Sequence, residues 1–378
     1  MSGSELRAPV SGSRPAVFDP NIVRGVLMLF VMLDHNDIVR NVKLMNDVFK
    51  PLTFHVAAYL VLPFLMPPKR LAVGMARDHA IRYLVPFLFA LVGYALTYHI
   101  VYKGTMPDIQ WLKNLGLAFL FADPWSLQLS TGFIVLWFLP ALLSTVLLAA
   151  LFNSSPPWAK TVLIVIAVVA HLSVGASPLA LKEAVPQGLL IAFYILPFGI
   201  VVRYSMPWLL ARPAQAWIAV VCLVVLAATW VFELGAEIEI GTLELPTFSQ
   251  PLWVIASDLG NLTALAALLI CSPFLRYVPG LGLLGKHSLL VYLFHPLLYK
   301  PIFGVLLRYC RLDELATPIG TAIYWIGAVV SVLLAASLSI CGAVVIRKSP
   351  WLKAMITPRT LRDWPPSALL GGAWSGRS

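Results

Sequence analysis

Along most of the chain, apolar residues arrive in blocks of about twenty rather than in alternation or in a single helical stripe, with charge, proline or glycine clusters between them. A helical run of that length matches the ~30 Å hydrocarbon core of a bilayer. Such blocks fall near 21–38, 51–68, 80–101, 131–152, 159–175, 187–204, 214–234, 248–274, 287–306 and 318–346. The longest connections, roughly 102–130 and 235–247, are too short for an independent fold. No strict internal repeat is visible. The pattern therefore predicts an all-α, polytopic integral membrane protein with about ten transmembrane helices. Residues 1–20 form an N-terminal segment, 21–346 one membrane domain, and 347–378 a basic, flexible tail.

Composition agrees: 60% of the residues are hydrophobic and 12% charged, about half the roughly 25% of a soluble domain. Placing both termini in the cytoplasm puts most lysines and arginines inside, while the loop after the seventh block holds Glu237, Glu239 and Glu244 and no base. The net charge of +10 thus belongs to positive-inside topology and anionic lipid rather than to nucleic acid. Arg7 and Arg14 precede the first block with no apolar core or cleavage site before it, so an uncleaved anchor is expected. Cys222, Cys271, Cys310 and Cys341 show no paired spacing and suggest neither a disulfide framework nor a zinc site.

The first block, NIVRGVLMLFVMLDHND from Asn21 to Asp37, carries Arg24 near its start and Asp34 and His35 near its end. Ionisable groups at membrane depth cost a few kcal/mol and call for a compensating role. Eleven residues bring a helical side chain back to within about 20° of its start, so Arg24 and His35 share a face, separated by a rise of roughly 16 Å. One small reacting group cannot touch both. A guanidinium suits a phosphate, and a histidine can take up a proton near neutral pH. A coenzyme A thioester, phosphorylated at one end of a long arm, fits such a pair. Two plainer readings stay open on spacing alone: Arg24 as a topology anchor and His35 as an interhelical hydrogen-bond partner. Asp34 points about 100° from His35 on a regular helix, so a dyad needs a backbone bend or a water.

Other polar residues sit within blocks. Asp258 lies in ASDLGNL, where Gly260 and Asn261 interrupt the apolar run, and is a candidate for sugar hydroxyls or for pairing with a histidine. His295 precedes Pro296 and is a candidate for acceptor contact or support of His35. His99, His171 and His287 lie near block ends and are expected to be interfacial.

Five motifs in order, RGVLMLFVMLDH (Arg24–His35), FHVAAYLVLPFL with His55, RYLVP (Arg82–Pro86), LWFLPALL with Trp137 and Phe138, and GKHSLLVYLFHPLL (Gly285–Leu298), resemble the membrane-bound acyltransferase-3 family of bacterial O-acyltransferases. The likeness spans roughly 21–346. Two departures stand out: Pro63-Phe64 replaces a frequent Ser-Gly, and His79, with Arg77 nearby, stands where a basic residue is expected a turn before Arg82.

The resemblance implies acetyl-CoA or another acyl-CoA as donor, no metal, and a bacterial inner-membrane location. Its acceptor would be an exopolysaccharide or other envelope glycan, free or lipid-linked, with a polysaccharide assembly complex as a further partner. It implies His35 with Asp34 in catalysis, and Arg24, Arg82 and Arg77 at the coenzyme. Asp258, His295, Tyr292, Trp137 and His55 are then candidates for the acceptor. His35 would act as general base, an effect worth roughly 10²–10⁴ in rate, with an acyl-enzyme relay as the other route. Asn36, Trp137 and Tyr292 are candidate oxyanion donors. The main alternative is a secondary transporter or flippase for a glycan, using His35, Asp258 and His295 as a proton relay. A third is a purely structural partner of an assembly complex. Dependence on the donor separates the enzyme from both.

Overall fold

Asp19 opens helix α1 (Pro20–Asp34) by accepting a hydrogen bond from the Asn21 amide at 2.8 Å, with Pro20 pre-set for the first helical position. The computed structural model describes residues 18–36, 54–65, 71–104, 108–172, 185–210, 215–231, 251–310 and 318–360. They form α2 (Phe54–Leu65), α3 (Val73–Thr97), α4 (Ile109–Phe121), α5 (Pro124–Thr131), α6 (Phe138–Ser154) and α7 (Pro157–Leu172). After these come α8 (Gln187–Leu210), α9 (Gln215–Val231), α10 (Pro251–Leu275), α11 (Leu281–Lys286), α12 (Ser288–Cys310), α13 (Pro318–Lys348) and α14 (Pro350–Ile356). No strand occurs among the described residues.

Each of the ten apolar blocks carries a helix. Among the described residues, five stretches are long and apolar enough to cross a membrane: Val73–Val101, Val135–Ser154, Gly188–Trp208, Asp258–Leu275 and Trp325–Lys348. Phe54–Leu65, Pro157–His171 and Ser288–Tyr299 are apolar but shorter. Helix α1, with 15 residues, rises only about 22 Å. Large apolar side chains such as Val165, Val169, Val221, Val224, Val329 and Leu333 face outward, whereas His55, Thr145, His171, His295 and Ser331 are buried. That inside-out distribution is the one lipid selects, since polar groups find partners only in the bundle interior. The protein is a multi-pass membrane protein.

Helix α1 lies at the centre and touches α2, α10, α11, α12 and α13, while α8 packs against α6, α2 and α7. Its contact with α11 is backbone on backbone. A Cβ added to Gly25 would stand 2.1 Å from the Leu281 carbonyl oxygen, and one added to Gly285 would stand 1.7 Å from that of Asn21. No side chain larger than hydrogen fits at either position. At the Pro63-Phe64 departure, Phe64 is fully buried and its ring occupies the space beside Gly199 of α8 that a Cβ would take.

The 102–130 connection folds into α4 and α5, started by Asp108 and Asp123, whose carboxylates accept from the Trp111 and Ser126 amides. The 235–247 connection lies outside the described residues. Helix α13 runs through Lys348 and α14 follows it, so the segment expected to be a flexible tail from 347 onward begins as ordered helix. The regular turn expected for 21–38 stops at Asp34, with residues 37 and 38 outside the described part.

Candidate functional site

A cavity of about 550 Å³ opens where the start of α1 meets α3, α11 and the end of α13. Arg24, Arg82, Lys286, Arg347, Lys353 and Arg359 line it, and among the described residues no aspartate or glutamate does. The Arg347 guanidinium donates to the Lys286 carbonyl at 2.9 Å and ties α13 to the end of α11. His287 sits in the turn between α11 and α12; burial, then the Arg347 and Lys286 charges, push it below the ordinary histidine range. The cavity therefore carries a positive potential that favours a polyanion.

A second, smaller chamber of about 30 Å³ lies toward the His35 end of α1, walled by His35, His55, Val31, Val56, Val135 and Trp137. That is room for a water or a small group. Met28, Tyr59, Phe138 and Tyr292 line both spaces and form the waist between them. The Tyr59 hydroxyl donates to the Arg24 carbonyl at 2.8 Å. The Tyr292 hydroxyl donates to the Val135 carbonyl, so Tyr292 presents its ring to both spaces.

His35 caps α1 at φ −90° and ψ 7°, where regular helix has ended. Its Nδ1 lies 2.8 Å from the Val31 carbonyl oxygen. A carbonyl only accepts, so Nδ1 carries the proton and Nε2 of the neutral ring carries the lone pair. The departure from helix also brings the Asp34 carboxylate within 3.6 Å of Nδ1, which regular helical geometry opposes. Negative charge thus stands beside the ring when Nε2 gains a proton.

The end of α1 is fixed by its neighbours. Asn36 Nδ2 donates to Ser331 Oγ of α13 at 2.7 Å, and Tyr299 of α12 donates to the Met32 carbonyl at 2.7 Å. His295 is fully buried behind His35, with ring centroids 5.6 Å apart in an edge-to-face arrangement. Its Nδ1 lies 3.1 Å from the Val291 carbonyl, and its Nε2 has no hydrogen-bond partner among the described residues.

The structure thus gathers His35, Asp34, His55, Trp137, Tyr292 and His295 at one end of α1 and Arg24 and Arg82 at the other. Two expected site residues stand apart. Arg77 is exposed with its Nε 3.7 Å from Asp78, and does not line the cavity. Asp258 Oδ2 lies 2.6 Å from Nε2 of His171, whose Nδ1 lies 2.6 Å from the Tyr194 carbonyl; neither space includes Asp258. His171, expected at the interface, is buried instead. Asn36 spends its amide protons on α13.

Sequence reasoning missed four lining groups. All four count among the basic residues on the inside, and Arg347, Lys353 and Arg359 fall in the 347–378 tail. Lys286 stood inside the Gly-Lys motif, which was the available signal; the other three carried none beyond charge.

A family model described as an acyltransferase domain matches residues 17–347. No curated protein and no solved structure matches the chain. With nearly all of its length under one family model, the chain belongs to the acyltransferase-3 family and is a membrane acyltransferase.

Proposed function

We propose that the protein is an integral-membrane O-acetyltransferase that moves an acetyl group from cytosolic acetyl-CoA to a hydroxyl of an exopolysaccharide or other envelope glycan. The observation that carries this reading is a cationic cavity, lined by no acidic side chain among the described residues, that shares the four waist residues with the chamber walled by His35. The distance supports it. From phosphate to sulfur, the pantetheine arm has about thirteen bonds, which at the ~3.5 Å per three bonds of an extended chain reach on the order of 15 Å. The rise from Arg24 to His35 is roughly 16 Å.

With the coenzyme phosphates among the cations and the arm through the waist, the thioester reaches His35. His35 Nε2 takes the proton of an acceptor hydroxyl as its oxygen attacks the thioester carbonyl carbon. The tetrahedral intermediate collapses to the acetyl ester, the carbon–sulfur bond breaks, and the proton passes from Nε2 to the departing coenzyme sulfur. Asp34 stabilises the imidazolium in between, and the Val31 carbonyl keeps the correct nitrogen aimed at the acceptor. The inner membrane, cytoplasmic termini and ten crossings belong to this reading, because the cationic cavity then opens toward the cytosolic donor.

The test is transfer of labelled acetyl from acetyl-CoA to an envelope glycan fraction by the protein in proteoliposomes. Label in ester linkage on the glycan is the expected result. Movement of intact glycan across the bilayer without label transfer would point to the transporter instead.

A further inference from the structure

The cationic cavity is closed on one side by chain that follows the matched domain. Ser349 starts α14 by accepting from the Leu352 amide at 3.3 Å, and Pro350 takes the first helical position. Ile356 is buried, and Leu352 and Met355 pack on the core. The short helix lies against α13 and α3, and Thr357 closes it through its amide and hydroxyl, both directed at the Lys353 carbonyl. This apolar anchorage turns Lys353, Thr357, Pro358 and Arg359 onto the cavity. The family match ends at residue 347, so these cations lie outside it.

Their place along the route matters. Arg24 sits on α1 one turn before the waist residue Met28, whereas Lys353 and Arg359 are set by α14, which packs on α13 and α3, helices that supply none of the four waist residues. A donor lying with its thioester at His35 and its phosphates in the cavity has its nucleotide end there. Resting on the donor reading above, we infer that Lys353 and Arg359 form the subsite for the 3′-phosphate of the coenzyme and make the protein discriminate CoA from its 3′-dephospho form. A 3′-phosphate is a terminal group carrying more than one negative charge, the chemistry that a Lys–Arg pair recognises best. An anionic lipid headgroup shares that chemistry, so the test separates the two.

The experiment measures binding of CoA and of 3′-dephospho-CoA to the full chain in phosphatidylcholine nanodiscs. Wild type is expected to prefer CoA by at least about tenfold, as loss of one charge-assisted contact implies. The Lys353→Ala/Arg359→Ala variant is expected to bind both ligands alike, at the dephospho level. Lys353→Arg/Arg359→Lys, which keeps both charges, restores the preference if charge rather than folding is at issue. Lys160→Ala, a basic residue outside the cavity, leaves it unchanged. Retained discrimination in the double alanine variant overturns the inference. In a parallel set of nanodiscs containing phosphatidylglycerol, loss of that lipid's binding by the double alanine variant with CoA discrimination intact assigns the pair to lipid and overturns it as well. Failure of wild type to bind CoA at all overturns the donor reading itself, and is told apart from either result by the absence of any ligand signal.

Discussion

Gly25 and Gly285 face one another across the α1–α11 contact, each in space where a single Cβ would meet the opposite backbone. They flank Arg24 and Lys286 in sequence, so the close approach that only glycine permits sets two cavity cations on adjoining helices. The Arg-Gly and Gly-Lys motifs thereby have one physical purpose.

Gly25→Ala is accordingly expected to force α1 and α11 apart. Overpacking of this kind costs about 1–3 kcal/mol, and with backbone as the obstacle little can yield. A lower melting temperature in detergent together with weaker CoA binding is the expected outcome; an unchanged pair of values would mean that the contact is not as close as described.

Arg82 and Arg77 are separable by one experiment. Arg82 lines the cavity, and Arg77 is exposed beside Asp78. Arg82→Ala is expected to weaken CoA binding about tenfold, the size of a lost charge-assisted hydrogen bond. Arg77→Ala should change it less than about twofold, as for a surface charge. Equal losses would mean that general potential, and not the cavity lining, governs binding.

His171 and Asp258 meet at 2.6 Å across two helices. The Nδ1 of His171 is taken by the Tyr194 carbonyl at 2.6 Å, which leaves Nε2 for Asp258. With the pair joining α7 to α10, His171→Ala and Asp258→Ala are each expected to lower stability by about 1–3 kcal/mol, read as a lower melting temperature, given that Asp258 is partly accessible. In a double-mutant cycle the two losses should be strongly non-additive. CoA affinity should not move. A changed acceptor KM without loss of stability would return Asp258 to the acceptor site.

His295 presents the opposite case, a buried nitrogen without a partner among the described residues. Such a group costs stability, so replacing it with a similar-sized apolar side chain relieves that cost. His295→Leu is expected to hold or raise the melting temperature while lowering turnover by at least about tenfold, with donor affinity intact, because the ring that stands behind His35 is gone. A fall in stability with normal turnover per folded molecule would make His295 merely a packing residue.

How much of this was legible in the sequence depends on the range of the interaction. The Arg24–His35 relation was readable because helical period alone fixes it. The approach of Asp34 to His35 was not, since it depends on the helix ending at Asp34, and no proline or glycine there marks the end. His171 and Asp258 are 87 positions apart, and no local pattern joins them. Lys286, Arg347, Lys353 and Arg359 were visible as charge, but bases that set topology and bases that hold phosphate look the same in a sequence. The ten helices followed from hydropathy blocks. Which of them cross a membrane did not: block length overstated helix length in α1, which ends at Asp34.

The central claim is a division of labour along one helix, and it is tested most directly by steady-state acetyl transfer with varied acetyl-CoA, comparing wild type, His35→Ala and Arg24→Ala at matched folded protein. The account predicts that His35→Ala lowers kcat by about 10² or more with CoA binding intact. It predicts that Arg24→Ala raises the KM for acetyl-CoA about tenfold, with turnover recovering as the donor saturates. Substantial turnover in His35→Ala, or identical effects of the two variants on kcat and KM, would contradict it.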